Sequence, residues 1–159
     1  MTTRIEDEFA RAIQESVFPG AAVLVASHGE VLYRNFFGQA TLMPQPEPVT
    51  EKTLFDIASL TKPISTTLLI LLAKKEGLLD LDKHLIDYFP EINEDKYKIS
   101  IRHLLKHTSG LPAWRPYYEE IAKEHPTLIG TRKSLPIYFQ KVSQETLQLP
   151  IGYQKIYSD

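Results

Sequence analysis

A chain of 159 residues with 43% apolar side chains has the length of one domain and enough apolar surface for a core. A net charge of −2 and a pI near 6.2 leave no basic footprint for nucleic acid or a membrane surface. The absence of cysteine excludes disulfides and thiolate metal sites.

The first residues, "MTTRIEDEFARAIQES", are polar and acidic, unlike a secretory leader, and no stretch approaches membrane-spanning length. The expected location is cytoplasmic, or periplasmic or secreted if a leader has been removed. Ile5, Phe9, Ala12 and Ile13 fall at helical spacing and predict an amphipathic helix over residues 2–17, ended by Pro19-Gly20. "AAVLVAS" and "VLYRNFF" flank "HGE" and predict two strands joined by a tight turn at Gly29. "MPQPEPVT" reads as a surface loop, since its prolines cannot pair in a central strand.

Residues 64–76, "ISTTLLILLAKKE", are apolar on most faces and predict a buried helix, with Lys74 and Lys75 at its C-terminal end and Gly77 as its stop. A shorter helix, "KHLIDYF", is expected after Asp82 as N-cap. Ser100 is placed to cap "IRHLLKH", which breaks at "TSGLP". Residues 113–133 read as loop, and "PIYFQKVSQETL" predicts a last helix. A helix and hairpin in residues 1–50 and a helical region in 51–159 give an α+β order poor in strands. One face of the hairpin is left to be covered.

Within "FDIASLTKP", Ser59 precedes Lys62 by three residues, just before the apolar run. Chance alone supplies about 0.7 such matches in a chain of this Ser and Lys content. Near the start of a helix the two share a face, and free N–H groups and the helix dipole favour an oxyanion beside Ser59. Pro63 in the first turn costs no helical hydrogen bond. A serine needs a base, and a lysine serves only if its ammonium is destabilised by apolar surroundings such as Phe55, Ile57, Ala58, Leu60 and Ile64. The competing reading is a plain N-cap beside a solvated lysine, and on these residues alone it leads by about two to one.

Four stretches in order alter that balance. The opening hairpin "PGAAVLVASHGEVLYRNFFGQA", then "TLFDIASLTKPISTTLLILLAKKEGLLDLD", "IRHLLKHTSGLP" and "PIGYQKIYSD" together resemble the class C β-lactamases and their relatives. Those relatives are serine esterases of β-lactamase fold, D-amino-acid peptidases and penicillin-binding carboxypeptidases. The resemblance implies an α+β fold of the β-lactamase/transpeptidase type, with an antiparallel sheet flanked by helices and a helical subdomain. It implies a serine hydrolase acting on ester, amide or β-lactam bonds through an acyl-enzyme, with no metal and no organic cofactor.

Carried over by position, Ser59 matches the nucleophile, Lys62 its partner and Tyr157 the tyrosine that relays the proton. An ammonium beside a phenol favours the phenolate, so the three can share one mobile proton. Asp159 stands where many relatives have Asn; a carboxylate cannot donate to a substrate carbonyl as an amide can, which leans toward esterase-like or peptidase-like members. The family's third motif, a strand with Lys-Thr-Gly or His-x-Gly, has no match here. By resemblance, residues 1–159 are the N-terminal part of one domain, about half the usual chain is absent, and the chain alone is expected to be inactive. Its implied partners are a small-molecule substrate and the missing C-terminal part of the same protein, with neither nucleic acid nor membrane. The alternative from another class is a non-catalytic protein or fragment of this fold that binds a ligand or partner.

Other signals carry less. His103 and His107 have a chelating spacing on one helix but lack a third ligand, and His107 reads better as a hydrogen-bond partner that fixes its loop. Asp80 and Asp82 read as turn and cap residues. Trp114, Tyr117 and Tyr118 either line a substrate cleft, with Trp114 and Tyr117 as substrate-binding residues, or cover the helical core.

Overall fold

A computed structural model describes residues 2–158, with side chains from Arg4 onward. Its packing divides into two compact units, residues 1–56 and 57–159.

In the first unit α1 (Thr2–Gln14) is followed by β1 (Gly20–Ser27) and β2 (Glu30–Thr41), paired antiparallel. Ser27 pairs with Glu30 across a two-residue turn in which His28 and Gly29 have φ of 51° and 85°. Two successive left-handed residues match the turn to the twist of the strands, as the His-Gly pair predicts. The apolar face of α1 lies on β2, where the Phe9 ring stacks on Phe37 at 4.8 Å. The proline-rich stretch does contribute structure, contrary to expectation: Glu47–Pro48 forms a short β3 on the edge of β2. Its position is one a proline tolerates, because an edge strand can leave the missing N–H side unpaired.

The second unit begins with a 3₁₀ turn, Ala58–Leu60, continues as a wide π turn, Lys62–Thr67, and becomes regular α2 only at Leu68–Lys75. The expected single helix is thus three kinds of helix in series. In α geometry the Pro63 ring would press on the carbonyl four residues back, that of Ser59, and a wider turn relieves that contact. Gly77, at φ 73°, ends α2 with the Gly77 and Leu78 N–H groups donating to Lys74 and Ala73. The helix is not buried as its composition predicts: Leu68, Leu69, Leu71 and Leu72 are each about half exposed, and Ile70 is the α2 residue packed against the core.

That core gathers Leu81, Leu85, Ile92, Ile99 and Ile101. The predicted helix at residues 83–89 is a correction: only a 3₁₀ turn forms, Leu85–Asp87. Backbone pairing outcompetes it, since Leu85 N–H donates to Ile99 at 2.7 Å and Arg102 N–H to Leu81 at 2.9 Å. Asp82 does not act as the cap. Its carboxylate takes Arg102 Nε and Nη2 at 2.6 and 2.8 Å, which holds its pKa below the usual carboxylate value, while Asp80 Oδ1 accepts the Asp82 N–H. Lys96, only 1% exposed, is neutralised by Asp95 at 2.8 Å.

Ser100 caps α3 (Ile101–Leu105) as predicted, its Oγ accepting the His103 N–H. The stretch read as loop contains α4 (Tyr117–Glu124), whose Ile121 is fully buried. The helix α5 (Leu135–Gln144) packs on it, with Lys141 Nζ reaching Glu120 and Glu124 at 2.8 and 3.2 Å. Among the described residues, no helix is long and apolar enough to cross a membrane, and no group of three or more acidic or His side chains could hold a metal ion.

Candidate active site

The 3₁₀ turn at Ala58–Leu60 has close to three residues per turn, which eclipses side chains three apart. Ser59 lies in that turn and Lys62, three positions on, opens the wide turn that follows; their heads meet, with Lys62 Nζ donating to Ser59 Oγ at 3.3 Å. Ala58, just before the serine, is left-handed at φ 42°, a conformation that costs a non-glycine residue about 1 kcal/mol. Such strain is concentrated where a side chain has to be presented in a fixed direction.

Tyr157 arrives from the other end of the chain. Lys62 Nζ lies 5.0 Å from its ring centroid, over the ring face, an attraction of the ammonium for the π cloud. Three backbone hydrogen bonds deliver it there. Gly110 O accepts the Gln148 N–H, Thr108 O the Gly152 N–H and His107 O the Ile156 N–H, each at 2.8 Å, so the loop after α3 grips the segment that ends at Ser158. Gly110 is needed for the grip: it has φ 82°, and a Cβ there would lie 2.2 Å from the Leu149 carbonyl oxygen.

His107 completes the contact, its ring 4.6 Å from that of Tyr157 and its Nδ1 accepting the Ser158 N–H at 3.3 Å. Its role as a loop-fixing partner is as expected, though the tyrosine contact was not visible in the sequence. His103 turns elsewhere, its Nδ1 meeting the Ser100 N–H and hydroxyl.

The apolar environment of Lys62 also differs from expectation. Phe55, Ile57, Leu60 and Ile64 are each about half exposed. The apolar wall beside Lys62 comes instead from Ile70, Ile101, Leu104, Leu105 and Leu111, around a cavity of about 300 Å³ that also touches His107, Ser109 and Ser158. Trp114 and Tyr117 line a smaller recess of about 130 Å³ that shares Ser158 and Leu111 with the first. The Tyr117 phenol is pushed up to about 12, by burial first and then by its hydrogen bond and proximity to the Glu145 carboxylate. Asp159 lies outside the described residues.

Residues 5–159 match the family described as Beta-lactamase. The chain belongs to the Beta-lactamase family. Among the family's proteins, Esterase EstB of Burkholderia gladioli is 38% identical over 119 residues, covering 72% of this chain and 30% of that protein. A Beta-lactamase of Providencia stuartii is 28% identical over 139 residues, covering 86% of this chain and 33% of its own length. The chain thus spans about a third of the curated relatives it matches. A solved structure titled as a hydrolase with promiscuous acyltransferase activity superposes with a TM-score of 0.76 at 27% identity, covering 99% of this chain and 43% of that one. The fold is of the β-lactamase/transpeptidase type, α+β as expected, and the family to which the chain belongs is one of β-lactamase-like serine hydrolases.

Proposed function

We propose that the protein carrying this chain hydrolyses ester or amide bonds, β-lactams and D-amino-acid peptides included, through an acyl-enzyme on Ser59. The observation that carries this reading is the 3.3 Å contact of Lys62 Nζ with Ser59 Oγ, with the Tyr157 ring centroid 5.0 Å from the same ammonium. In the unprotonated form Lys62 takes the serine proton as Ser59 attacks the carbonyl carbon. The proton passes to the leaving alcohol or amine as the tetrahedral intermediate collapses, and water then releases the acid. Tyr157 serves as the proton relay. The Ser59 N–H, at the start of a helical segment, donates to the oxyanion. Trp114 and Tyr117 bound the adjacent recess and contact the substrate, and Asp159 is assigned to the substrate by the resemblance alone.

An ester is the substrate class to test first, because an esterase is among the relatives at 38% identity. The resemblance assigns a second oxyanion donor to a strand absent from these residues, so we place the activity in a protein that supplies that strand. Treatment with a fluorophosphonate followed by intact-mass and peptide mapping tests the reading. One adduct on Ser59, lost in S59A together with ester turnover, is expected. Turnover or labelling that survives S59A refutes it.

A further inference from the structure

We infer that His107 is a positioning residue for Tyr157, holding the phenol against Lys62 through its side chain as well as its backbone. The inference rests on the reading of Ser59, Lys62 and Tyr157 as the reacting group. Tyr157 is half exposed and lies in no helix or strand, so nothing in regular secondary structure fixes its ring. Its immediate neighbours are fixed instead, and by a single residue. The His107 carbonyl takes the N–H of Ile156, and the His107 Nδ1 takes the N–H of Ser158. The imidazole ring then covers one face region of Tyr157 at 4.6 Å with a 35° tilt, while Lys62 Nζ approaches the ring at 5.0 Å.

This clamp has a defined chemistry. Nδ1 accepts from an N–H donor, so it carries no proton of its own and its lone pair is engaged by Ser158, which leaves the ring proton on Nε2. The backbone of His107 is left-handed at φ 58°, a strain that a non-glycine residue accepts only where its surroundings hold it. A residue needed only for the path of the backbone here would be better as glycine, which takes that φ without cost. The imidazole makes two contacts that glycine could not, one to the Ser158 N–H and one to the Tyr157 ring, which points to the side chain as the part in use.

The experiment compares H107G, H107N and S59A in the protein at its native length. Glycine suits the backbone and removes both the acceptor and the ring. Asparagine tolerates the left-handed conformation and returns an acceptor oxygen near the place of Nδ1. H107G is expected to keep its Tm within a few degrees and its KM within about threefold, yet to lose about 30- to 100-fold in kcat for a p-nitrophenyl ester, as misplacement of a reacting group does. H107N should recover most of that loss.

Amide exchange gives a reading independent of turnover. The Ser158 N–H should exchange about tenfold faster in H107G than in the parent or H107N, the effect of one lost hydrogen bond. Undiminished kcat in H107G, an H107N variant as impaired as H107G, or equal Ser158 exchange in all three proteins would overturn the inference. If S59A leaves turnover intact, the catalytic reading fails by itself, and Ser158 exchange alone then judges the clamp.

Discussion

Tyr117 offers a quantitative test of the aromatic recess. Its phenol is raised from the ordinary 10 to about 12, with burial the first cause and the Glu145 carboxylate the second. A raised acid means that the folded protein keeps this proton while the unfolded chain gives it up. The associated stability is therefore complete below pH 10 and is lost as pH climbs from 10 through 12. Two units correspond to at most about 2.7 kcal/mol, and because the ring is partly solvated, screening reduces this to about 1 kcal/mol.

Y117F has no proton to lose. It also leaves Glu145 paired with Arg115, whose Nε donates to the carboxylate at 3.1 Å. Urea unfolding of the parent and Y117F at pH 8, 9, 10 and 11 is the assay. The variant's stability should decline less steeply above pH 10, while the lysine and other tyrosine contributions cancel between the two proteins. Identical slopes for both would mean that the phenol is neither desolvated nor held by Glu145, and that the recess is open to water.

Three further outcomes are expected. K62A should keep its fold by circular dichroism yet lose about 10²- to 10⁴-fold in kcat/KM, the usual contribution of a positioned base; a loss under threefold would exclude Lys62 from proton transfer. D82N should flatten the acid limb of the stability profile, because the Arg102 guanidinium holds the Asp82 carboxyl below 3.8 and that stability is lost as pH falls through the depressed value; unchanged acid unfolding would show the pair to be silent. G110A should destabilise by about 2–3 kcal/mol in thermal unfolding, since a Cβ meets the Leu149 carbonyl and φ is positive; a Tm equal to the parent's would mean that the segment at residues 148–158 does not grip the loop.

Local interactions explain what was legible from the residues themselves. The hairpin turn at His28-Gly29, the Ser100 cap and the Gly77 stop depend on neighbours within a few positions, and each stands where the pattern puts it. The Ser59–Lys62 contact is of the same kind, because three residues of tight helical turn suffice to bring the two heads together. Four ordered motifs carried the family.

What the sequence left open depended on partners far along the chain. The segment at residues 83–89 has a helical pattern but pairs with Ile99 and Ser100, whose backbone groups compete for the same hydrogen bonds. The apolar residues beside Ser59 in sequence point largely to solvent, and the wall next to Lys62 is built by α3 and the loop after it. Tyr157 reaches Lys62 across 95 positions only because His107, Thr108 and Gly110 pair with the segment that carries it. Sequence spacing could bring a serine to its lysine because a helical turn is a local geometry. Bringing the tyrosine to that lysine took a tertiary contact, since no short-range rule relates residues whose link is the hydrogen bonding between two distant loops.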